Sequence, residues 1–348
     1  MHGSALIASV EAQACDRFAD TLDQLWPPQD RLDPETGAAL KIGLAVSGGP
    51  DSLALLLLAA ATYPDSIVVA SVNHGLRPEA ADEVALVSDV CAALGVRFTP
   101  LSVRLGPGNL QARAREARYD ALVDWARQEQ LAGIVTAHHA DDQAETLLMR
   151  LARGSGLSGL AGVRAYQPFD PDKTGDPIPL IRPLLGWRKA DLEAIVATSG
   201  LTPARDPSNN QMQFDRVRVR EHLAQHDWLD PQALATSAEH LAEAWRAIEW
   251  YAEIDWEEMV AREPDGLTIR YAANVPRVIQ IETVRRIVNE LGGVVSRGEA
   301  ARAADRLWRG ENASLGGVLA VPTVELIARV GVEMRVWHFT PEPPRRVH

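Results

Sequence analysis

Apolar residues form five short runs in the first two thirds of the chain. Most positions in these runs are β-branched or aliphatic without alternation, which is typical of strands buried on both faces of a sheet. The runs predict strands at residues 41–46, 67–73, 96–103, 133–137 and 178–184.

Helical patterns lie between these runs, at residues 53–61, 79–94, 110–129 and 141–151. The resulting alternation of strands and helices predicts an α/β domain with a doubly wound, parallel, five-stranded sheet. Ligands of such sheets bind at the carboxyl ends of the strands. Three polar segments follow strands there, namely "SGGPDS", "NHGLRP" and "AHHADD". We therefore expect these three segments to form a binding site.

The last third of the chain has a different pattern. Apolar residues at helical spacing predict a long helix at 230–263 and shorter helices at 277–293 and 296–310. Short apolar runs predict strands at 314–321, 323–331 and 333–339. We expect four parts: an N-terminal domain at 1–228, a linker helix at 229–263, a small α+β domain at 264–340, and a disordered tail at 341–348.

The composition fits a protein of more than one domain, since the chain has 348 residues and is 46% hydrophobic. The longest unbroken apolar run, residues 53–61, is far shorter than the roughly 20 residues of a membrane span. The N-terminal segment has no basic start and carries Glu11 and Asp16, which argues against a signal peptide. We expect a cytoplasmic protein with no membrane partner; a homodimer is compatible with the sequence.

The net charge of −12 disfavours a nucleic-acid partner when it is averaged over the chain. Residues 104–220, however, carry 16 Lys and Arg against 14 Asp and Glu, so this segment can face RNA without strong repulsion. The two cysteines, Cys15 and Cys91, lie far apart in the sequence and exclude both a disulfide framework and a Cys-x-x-Cys site.

The segment "SGGPDS" joins a predicted buried strand to a predicted helix. Backbone N–H groups at such a helix start favour a phosphate, and Gly48 and Gly49 allow its close approach. Ser47 and Ser52 supply hydroxyl groups, while Asp51 can reach a Mg²⁺ ion bound to a polyphosphate. The alternative is an ordinary turn in which the same side chains only cap the helix.

Arginines flank two of the predicted helices. Arg115 and Arg118 are three residues apart and share one helical face, with Arg113 nearby, while Arg150 and Arg153 precede the glycine-rich stretch "GSGLSGLAG". Arginine is suited to bidentate contacts with phosphate. Such a row is also typical of a solvated helix surface, so the sequence leaves both interpretations open.

"AHHADDQAET" is the most specific segment in the sequence. His139, Asp142, Glu145 and Thr146 recur at helical spacing and therefore lie on one face of the helix start. Two carboxylates in such a place can hold a metal ion or an ammonium group. Asp141 and Asp142 have a simpler alternative, because carboxylates favour helix N-termini, but that alternative does not account for Glu145.

These segments, together with "IRPLL" and "DPSN", resemble the tRNA(Ile)-lysidine synthases in their order and spacing. This family belongs to the N-type ATP pyrophosphatases, or PP-loop enzymes. The resemblance implies an adenine nucleotide alpha hydrolase-like fold and the use of ATP and Mg²⁺. It implies a ligase that adenylylates the C2 oxygen of the wobble cytidine in tRNA(Ile) with a CAU anticodon. L-lysine then displaces AMP to form lysidine.

The resemblance also implies roles for individual residues. Catalysis is expected from Asp51, Arg115, Asp142 and Glu145, and Mg²⁺ binding from Asp51 and Asp142. ATP is expected to contact Ser47, Gly48, Gly49, Asp51, Ser52, Val72, Asn73 and His138. The tRNA or lysine is expected to contact Asp142, Glu145, Arg150, Arg153, Arg182, Arg205 and Arg218. Arg182 and Arg205 are expected at the rim of the site, and the lysine ammonium is an alternative to Mg²⁺ as the ligand of Asp142 and Glu145.

One segment departs from the family pattern. The family favours Arg-Asn-x-[IV]-Arg where this chain has Arg216, Val217, Arg218, Val219 and Arg220. We expect the alternating arginines to offer an edge that contacts phosphate. The domain at 264–340 is expected to be an arm that orients the tRNA, in a shorter member of the family.

Three other functions fit parts of the sequence. A tRNA thiolase shares the ATP loop but needs cysteines to carry sulfur, and neither cysteine lies beside a motif. A non-catalytic nucleotide-binding protein would not need the pair Asp142 and Glu145. A synthetase for small-molecule amides would not need the arginine-rich middle of the chain.

Overall fold

The computed structural model describes residues 3–73, 79–103, 110–169, 176–204, 215–327 and 331–342. The chain forms two compact units, Met1–Ala242 and Glu243–His348. The division falls inside one long helix, Pro231–Met259.

The N-terminal unit is built on a six-stranded sheet, in the order β3-β2-β1-β4-β6-β5. Its strands are β1 (Ile42–Ala45), β2 (Ile67–Asn73), β3 (Arg97–Ser102), β4 (Gly133–Val135), β5 (Tyr166–Phe169) and β6 (Ile178–Ile181). The five predicted strands are present and pair in parallel. The sequence missed β5, an antiparallel edge strand. It is short, half-exposed and contains Pro168, so no apolar run marks it.

Helices cover both faces of this sheet. They are α1 (Gly3–Ala8), α2 (Ala12–Leu25), α3 (Pro50–Thr62), α4 (Glu79–Leu94), α5 (Leu110–Gln128), α6 (Ala140–Ala152), α7 (Leu157–Leu160), α8 (Lys189–Ser199) and α9 (Asp215–Gln225). α3 is apolar on every side because it packs between the sheet, α2 and α8. The sequence did not predict α1 and α2, although Phe18 and Leu22 of α2 are fully buried.

Side chains of each strand alternate between two separate hydrophobic cores. Val69 joins the core formed with α3, whereas Val68 and Ala70 join the core formed with α5, which includes Tyr119 and Trp125. This alternation confirms a doubly wound sheet that is buried on both faces.

α9 corrects the expectation for the alternating arginines. The segment is helical, so Arg216 and Arg220 share one face while Arg218 points elsewhere. The three arginines therefore do not form a common edge.

The C-terminal unit contains a five-stranded sheet in the order β7-β8-β11-β10-β9. Its elements are α10 (Pro231–Met259, shared with the N-terminal unit), β7 (Val260–Arg262), β8 (Ile269–Ala272), α11 (Arg277–Glu290), α12 (Arg297–Trp308), β9 (Ala313–Leu315), β10 (Val318–Ile327) and β11 (Val332–Pro341). α11 and α12 pack on one face of this sheet, around Tyr271, Trp337 and Phe339.

Two sequence predictions for this unit need correction, and two of its strands, β7 and β8, were not predicted. The long helix ends at Met259, because the next three residues form β7 on the edge of the sheet. The predicted boundary inside 314–331 is wrong, since β10 is continuous through Pro322 and the chain turns earlier, at Gly316 and Gly317, which have positive φ angles.

Among the described residues, no helix is both long enough and apolar enough to cross a membrane.

Candidate active site at the carboxyl edge of the parallel sheet

The loop between β1 and α3 is held in shape by its own serines. The Ser47 N–H donates to Ser52 Oγ at 3.1 Å, and Ser52 Oγ donates to the Gly49 carbonyl at 3.0 Å. Gly48 has a φ of +86°, and a Cβ there would lie 3.2 Å from the Glu83 carbonyl oxygen. Ser52 therefore braces the loop, Gly48 is required by the backbone, and Ser47 is the exposed hydroxyl.

Asp51 stands in the first turn of α3, opposite the start of α6. His139 Nε2 lies 3.5 Å from Asp51 Oδ2 and 3.6 Å from Asp142 Oδ2. His139 is the residue before α6, and its backbone N–H donates to Asp142 Oδ2 at 3.2 Å. One buried histidine therefore joins the phosphate loop to the helix that carries the predicted catalytic carboxylates.

The electrostatic balance around His139 is negative. Burial alone would lower the pKa of His139, but the hydrogen bond with Asp51 and the charges of Asp142 and Asp141 outweigh it, so the pKa is raised. Asp141 has partners of its own, because it accepts from the Lys189 N–H at 2.8 Å and pairs with Arg188. Asp51 and Asp142 thus share a single histidine.

Glu145 lies one turn further along α6 and is only 2% exposed. Arg220 Nε donates to Glu145 Oε1 at 2.7 Å, and Arg216 Nε lies 3.1 Å from Glu145 Oε2. These contacts fasten α9 to α6. The hydrogen bond with Glu145 raises the pKa of Arg220. Glu145 therefore carries a compensated charge beside the pair Asp51 and Asp142.

A cluster of cationic groups surrounds His138. Arg115 and Arg118 lie over the ring of Tyr119, at 5.0 and 5.3 Å from its centroid. Burial, followed by the charge of Arg182 and those of the other arginines, holds the pKa of His138 well below its usual value. Burial would raise the pKa of Tyr119, but the charges of Arg115, Arg118 and Arg182 lower it. In this corner of the site His138 is neutral and the surrounding arginines are positively charged. Such an environment favours the binding of an anion.

Arg182 differs from its predicted position. It was expected at the rim, but it is 2% exposed, and its Nη1 donates to the Arg164 carbonyl at 2.5 Å. Its position at the end of β6 brings it to the same edge as His138. Burial lowers its pKa. Arg182 therefore lies within the positive cluster, below the surface.

The glycine-rich turn after α6 is tied to that helix. Gln143 Nε2 donates to the Val163 carbonyl at 2.8 Å, and the Val163 N–H donates back to Gln143 Oε1 at 2.7 Å. Gly162 has a φ of +67°, and a Cβ there would lie 2.4 Å from Gln143 Oε1. Arg150 donates to the carbonyls of Gly159 and Gly162. In this structure Arg150 and the glycines shape the turn.

The carboxylates fit a Mg²⁺ ion that is also bound by phosphates. Asp51 Oδ1 is buried without a hydrogen-bond partner among the described residues. No group of three or more His, Cys, Asp or Glu side chains among those residues forms a complete metal cage. Mg²⁺ commonly takes one or two protein carboxylates and completes its shell with phosphate oxygens and water. Asp51 and Asp142 match that requirement.

The structure thus brings most of the predicted site together along one edge of the sheet. Val72 and Asn73 end β2 beside the loop strand β1. Arg153 and Arg218 are exposed. Arg205 lies outside the described residues. Sequence reasoning missed the central position of His139 and the pairing of Arg216 and Arg220 with Glu145; the signal for the latter was their i, i+4 spacing.

The fold and the loop define a class of protein. Residues 18–227 match the family model described as a PP-loop domain. A tRNA(Ile)-lysidine synthase of Novosphingobium aromaticivorans is 44% identical over 90% of this chain and 92% of its own length. A tRNA(Ile)-lysidine synthase of Zymomonas mobilis is 38% identical over 88% of this chain and 90% of its own. The chain belongs to the tRNA(Ile)-lysidine synthase family.

A solved structure shares the fold at low identity. A U34-tRNA thiolase of Methanococcus maripaludis with a [4Fe-4S] cluster superimposes with a TM-score of 0.52 and 17% identity, covering 67% of this chain and 81% of that one. The cysteines of this chain do not suit sulfur transfer. Cys91 is buried, which raises the pKa of its thiol to about 12, and Cys15 lies on α2, which contributes no residue to the site described above.

Proposed function

We propose that this enzyme attaches the ε-amine of L-lysine to C2 of the wobble cytidine in tRNA(Ile) with a CAU anticodon, at the expense of ATP. The observation that carries this proposal is the junction of the PP-loop, through Asp51 and His139, to Asp142 on α6. It places an ATP-binding loop and a second carboxylate within one contact network. Membership of the lysidine synthase family supports the same reaction.

In the first step the C2 oxygen of the cytidine attacks the α-phosphorus of ATP, and pyrophosphate leaves. The loop from Ser47 to Ser52 offers backbone N–H groups at the start of α3 to the phosphates. Asp51 and Asp142 would hold Mg²⁺, which supplies positive charge against the departing pyrophosphate. His139 fixes the two carboxylates relative to each other. Arg115 and the neighbouring arginines stabilise negative charge at the positive corner.

In the second step the lysine ε-amine attacks C2, the bond between C2 and oxygen breaks, and AMP leaves with that oxygen. The amine must lose a proton to attack, so it needs a carboxylate nearby. Asp142 and Glu145 are the candidates on α6. Arg216 and Arg220 both pair with Glu145, whereas Asp142 contacts His139 and its own helix start and interacts with the charge of Arg220. We assign lysine positioning to both residues, and the proton of the amine passes to one of these two carboxylates.

The C-terminal domain, residues 264–340, is proposed to orient the tRNA. Arg335 lies over the ring of the half-exposed Trp308, 4.1 Å from its centroid. Such a pair can stack on a sugar or base and contact a phosphate. The active-site unit then needs to recognise only the anticodon region.

The test of this function incubates the purified protein with ATP, Mg²⁺, labelled lysine and tRNA(Ile) bearing the CAU anticodon. We expect label in the RNA at the wobble nucleotide, with one AMP formed for each lysine attached. An elongator tRNA(Met), which shares the CAU anticodon, is the control and should remain unlabelled. Absence of label in tRNA(Ile), with the protein folded and ATP bound, would contradict the proposal.

A further inference from the structure

An exposed row of flat side chains extends from α9. Arg218 and His222 are one helical turn apart, His226 follows four residues later, and Trp228 comes next. All four are exposed, and Trp228 is 78% exposed, a high value for a tryptophan. We call Arg218, His222, His226 and Trp228 the ring stripe.

The rings of the stripe lie near one another. The ring centroids of His222 and His226 are 6.0 Å apart, and those of His226 and Trp228 are 6.5 Å apart. His226 Nδ1 donates to the His222 carbonyl at 2.8 Å, which holds the second ring in place. The stripe is therefore a set of neighbouring rings in a defined arrangement, and these rings are exposed to solvent.

The position of α9 connects the stripe to the active site. Arg216 and Arg220 fasten one side of α9 to Glu145. Arg218 and His222 lie about 200° around the same helix, on its far side, because each residue advances the helix by about 100°. A helix is about 10 Å across, a distance that a few unstacked nucleotides of a loop can span. The anchored helix thus separates the carboxylates from an exposed aromatic surface.

We propose that the ring stripe is a stacking platform for bases of the anticodon loop that flank the cytidine undergoing modification. This inference rests on the proposed function. A base in a loop must be unstacked before chemistry at its C2 atom, and its neighbours then lose stacking partners. Aromatic side chains and an arginine replace that stacking without reading sequence. The stripe has three rings and only one arginine. This composition favours stacked bases over a nucleic-acid backbone, because binding of several phosphates needs several cations.

The test measures equilibrium binding of tRNA without ATP or lysine, so that it does not depend on catalysis. We expect Trp228→Ala to weaken binding roughly 5- to 100-fold, the range for loss of one base-aromatic stack. Trp228→Phe should restore most of the affinity. Trp250→Ala is the matched control, because Trp250 is also exposed, at 68%, but lies outside the stripe. It should bind tRNA like the parent protein.

Two further measurements identify the occupant. The ratio of the Kd values of Trp228→Ala and parent protein should stay constant between low and high salt, since stacking releases no counterions. The parent protein should bind a tRNA with an abasic nucleotide beside the wobble cytidine more weakly than the intact tRNA. Trp228→Ala should bind these two tRNAs with equal affinity. Both results support stacking on a base.

Three outcomes overturn the proposal. Unchanged tRNA affinity in Trp228→Ala would remove its basis. A change in oligomeric state with unchanged tRNA affinity would show that the stripe binds a second copy of the chain. Additive losses from the abasic nucleotide and Trp228→Ala would place the base elsewhere. If Trp228→Ala weakens tRNA binding but the parent protein forms no lysidine, the proposed reaction is wrong while the stacking role of the ring stripe still holds.

Discussion

In the N-terminal unit one histidine, His139, faces several aspartates, whereas in the C-terminal unit one glutamate faces several donors. Glu325 accepts from Arg270 Nε at 2.8 Å and from Thr323 Oγ1 at 2.9 Å, and lies 2.6 Å from His338 Nε2. Burial alone would raise the pKa of Glu325, but these hydrogen bonds lower it to about 2. Every oxygen of that carboxylate is engaged.

The His139 group has the opposite balance. Asp51 and Asp142 share the one imidazole, and Asp51 Oδ1 has no hydrogen-bond partner among the described residues. A surplus of carboxylate at a strand end can accept a cation, whereas a saturated carboxylate on a sheet can only stabilise the fold. Similar residue types therefore have different roles in the two units. The difference is whether the carboxylate oxygens are already paired with donors.

Replacing Asp51 should give the largest effect. We expect Asp51→Asn to lower kcat for lysidine formation at least about 100-fold, because the amide keeps the shape but removes the negative charge that is proposed to hold Mg²⁺ beside the pyrophosphate. Steady-state assays at several Mg²⁺ concentrations measure this loss. The control is Asp191→Asn, since Asp191 occupies the first turn of α8 as Asp51 does in α3. Equal activity of Asp51→Asn and Asp191→Asn would contradict a role for the surplus charge.

Replacing Glu145 should have the next largest effect. Glu145→Gln leaves two guanidinium groups without their charged partner, and a hydrogen bond to a charged group contributes about 1.5–3 kcal/mol. We expect an increase of roughly 10- to 100-fold in the KM for lysine and faster amide hydrogen exchange in α9. Glu129→Gln, which breaks the surface pair with Arg97, is the control and should change neither. An unaltered α9 would show that this pairing does not hold the helix.

Replacing Arg335 should have a small effect. If the C-terminal domain at residues 264–340 only orients the tRNA, Arg335→Ala should weaken tRNA binding a few-fold and reduce the slope of log Kd against log salt by about 1. The kcat at saturating tRNA should not change. A large fall in kcat would mean that this unit takes part in the chemistry, and the contrast between the two units would fail.

Replacing Glu325 should affect stability alone. Its pKa is lowered by folding, so its stabilising contribution is present above the unfolded-state value near 4.5 and is lost as the pH falls toward 2. We expect Glu325→Gln to lower the melting temperature at pH 7 and to make it less dependent on pH between about 5 and 2. Thermal unfolding at several pH values gives this comparison. If the melting temperatures of parent and variant changed with pH in parallel, the hydrogen bonds of Glu325 would not be the cause of the pH dependence.

Much of the N-terminal unit was predictable because local patterns agree with the final environment. Buried parallel strands are apolar at every position, and the loop and the start of α6 follow strand ends directly. Asp142 and Glu145 were predictable from spacing on α6. The pairing of Glu145 with Arg220 was not, because it joins residues 75 apart through a helix whose sequence alternates valine and arginine. The burial of Arg182 and the short strands β5, β7 and β8 depend on tertiary packing in the same way.

Transfer of label from the α-phosphate of ATP to RNA tests most directly whether the His139 group drives adenylylation of the tRNA. The protein is incubated with α-labelled ATP, Mg²⁺ and tRNA(Ile) in the absence of lysine, and lysine is added later. We expect label to accumulate in the RNA, to be released as AMP when lysine is added, and to be absent with Asp51→Asn. Formation of AMP with no label in the RNA at any time would contradict this chemistry.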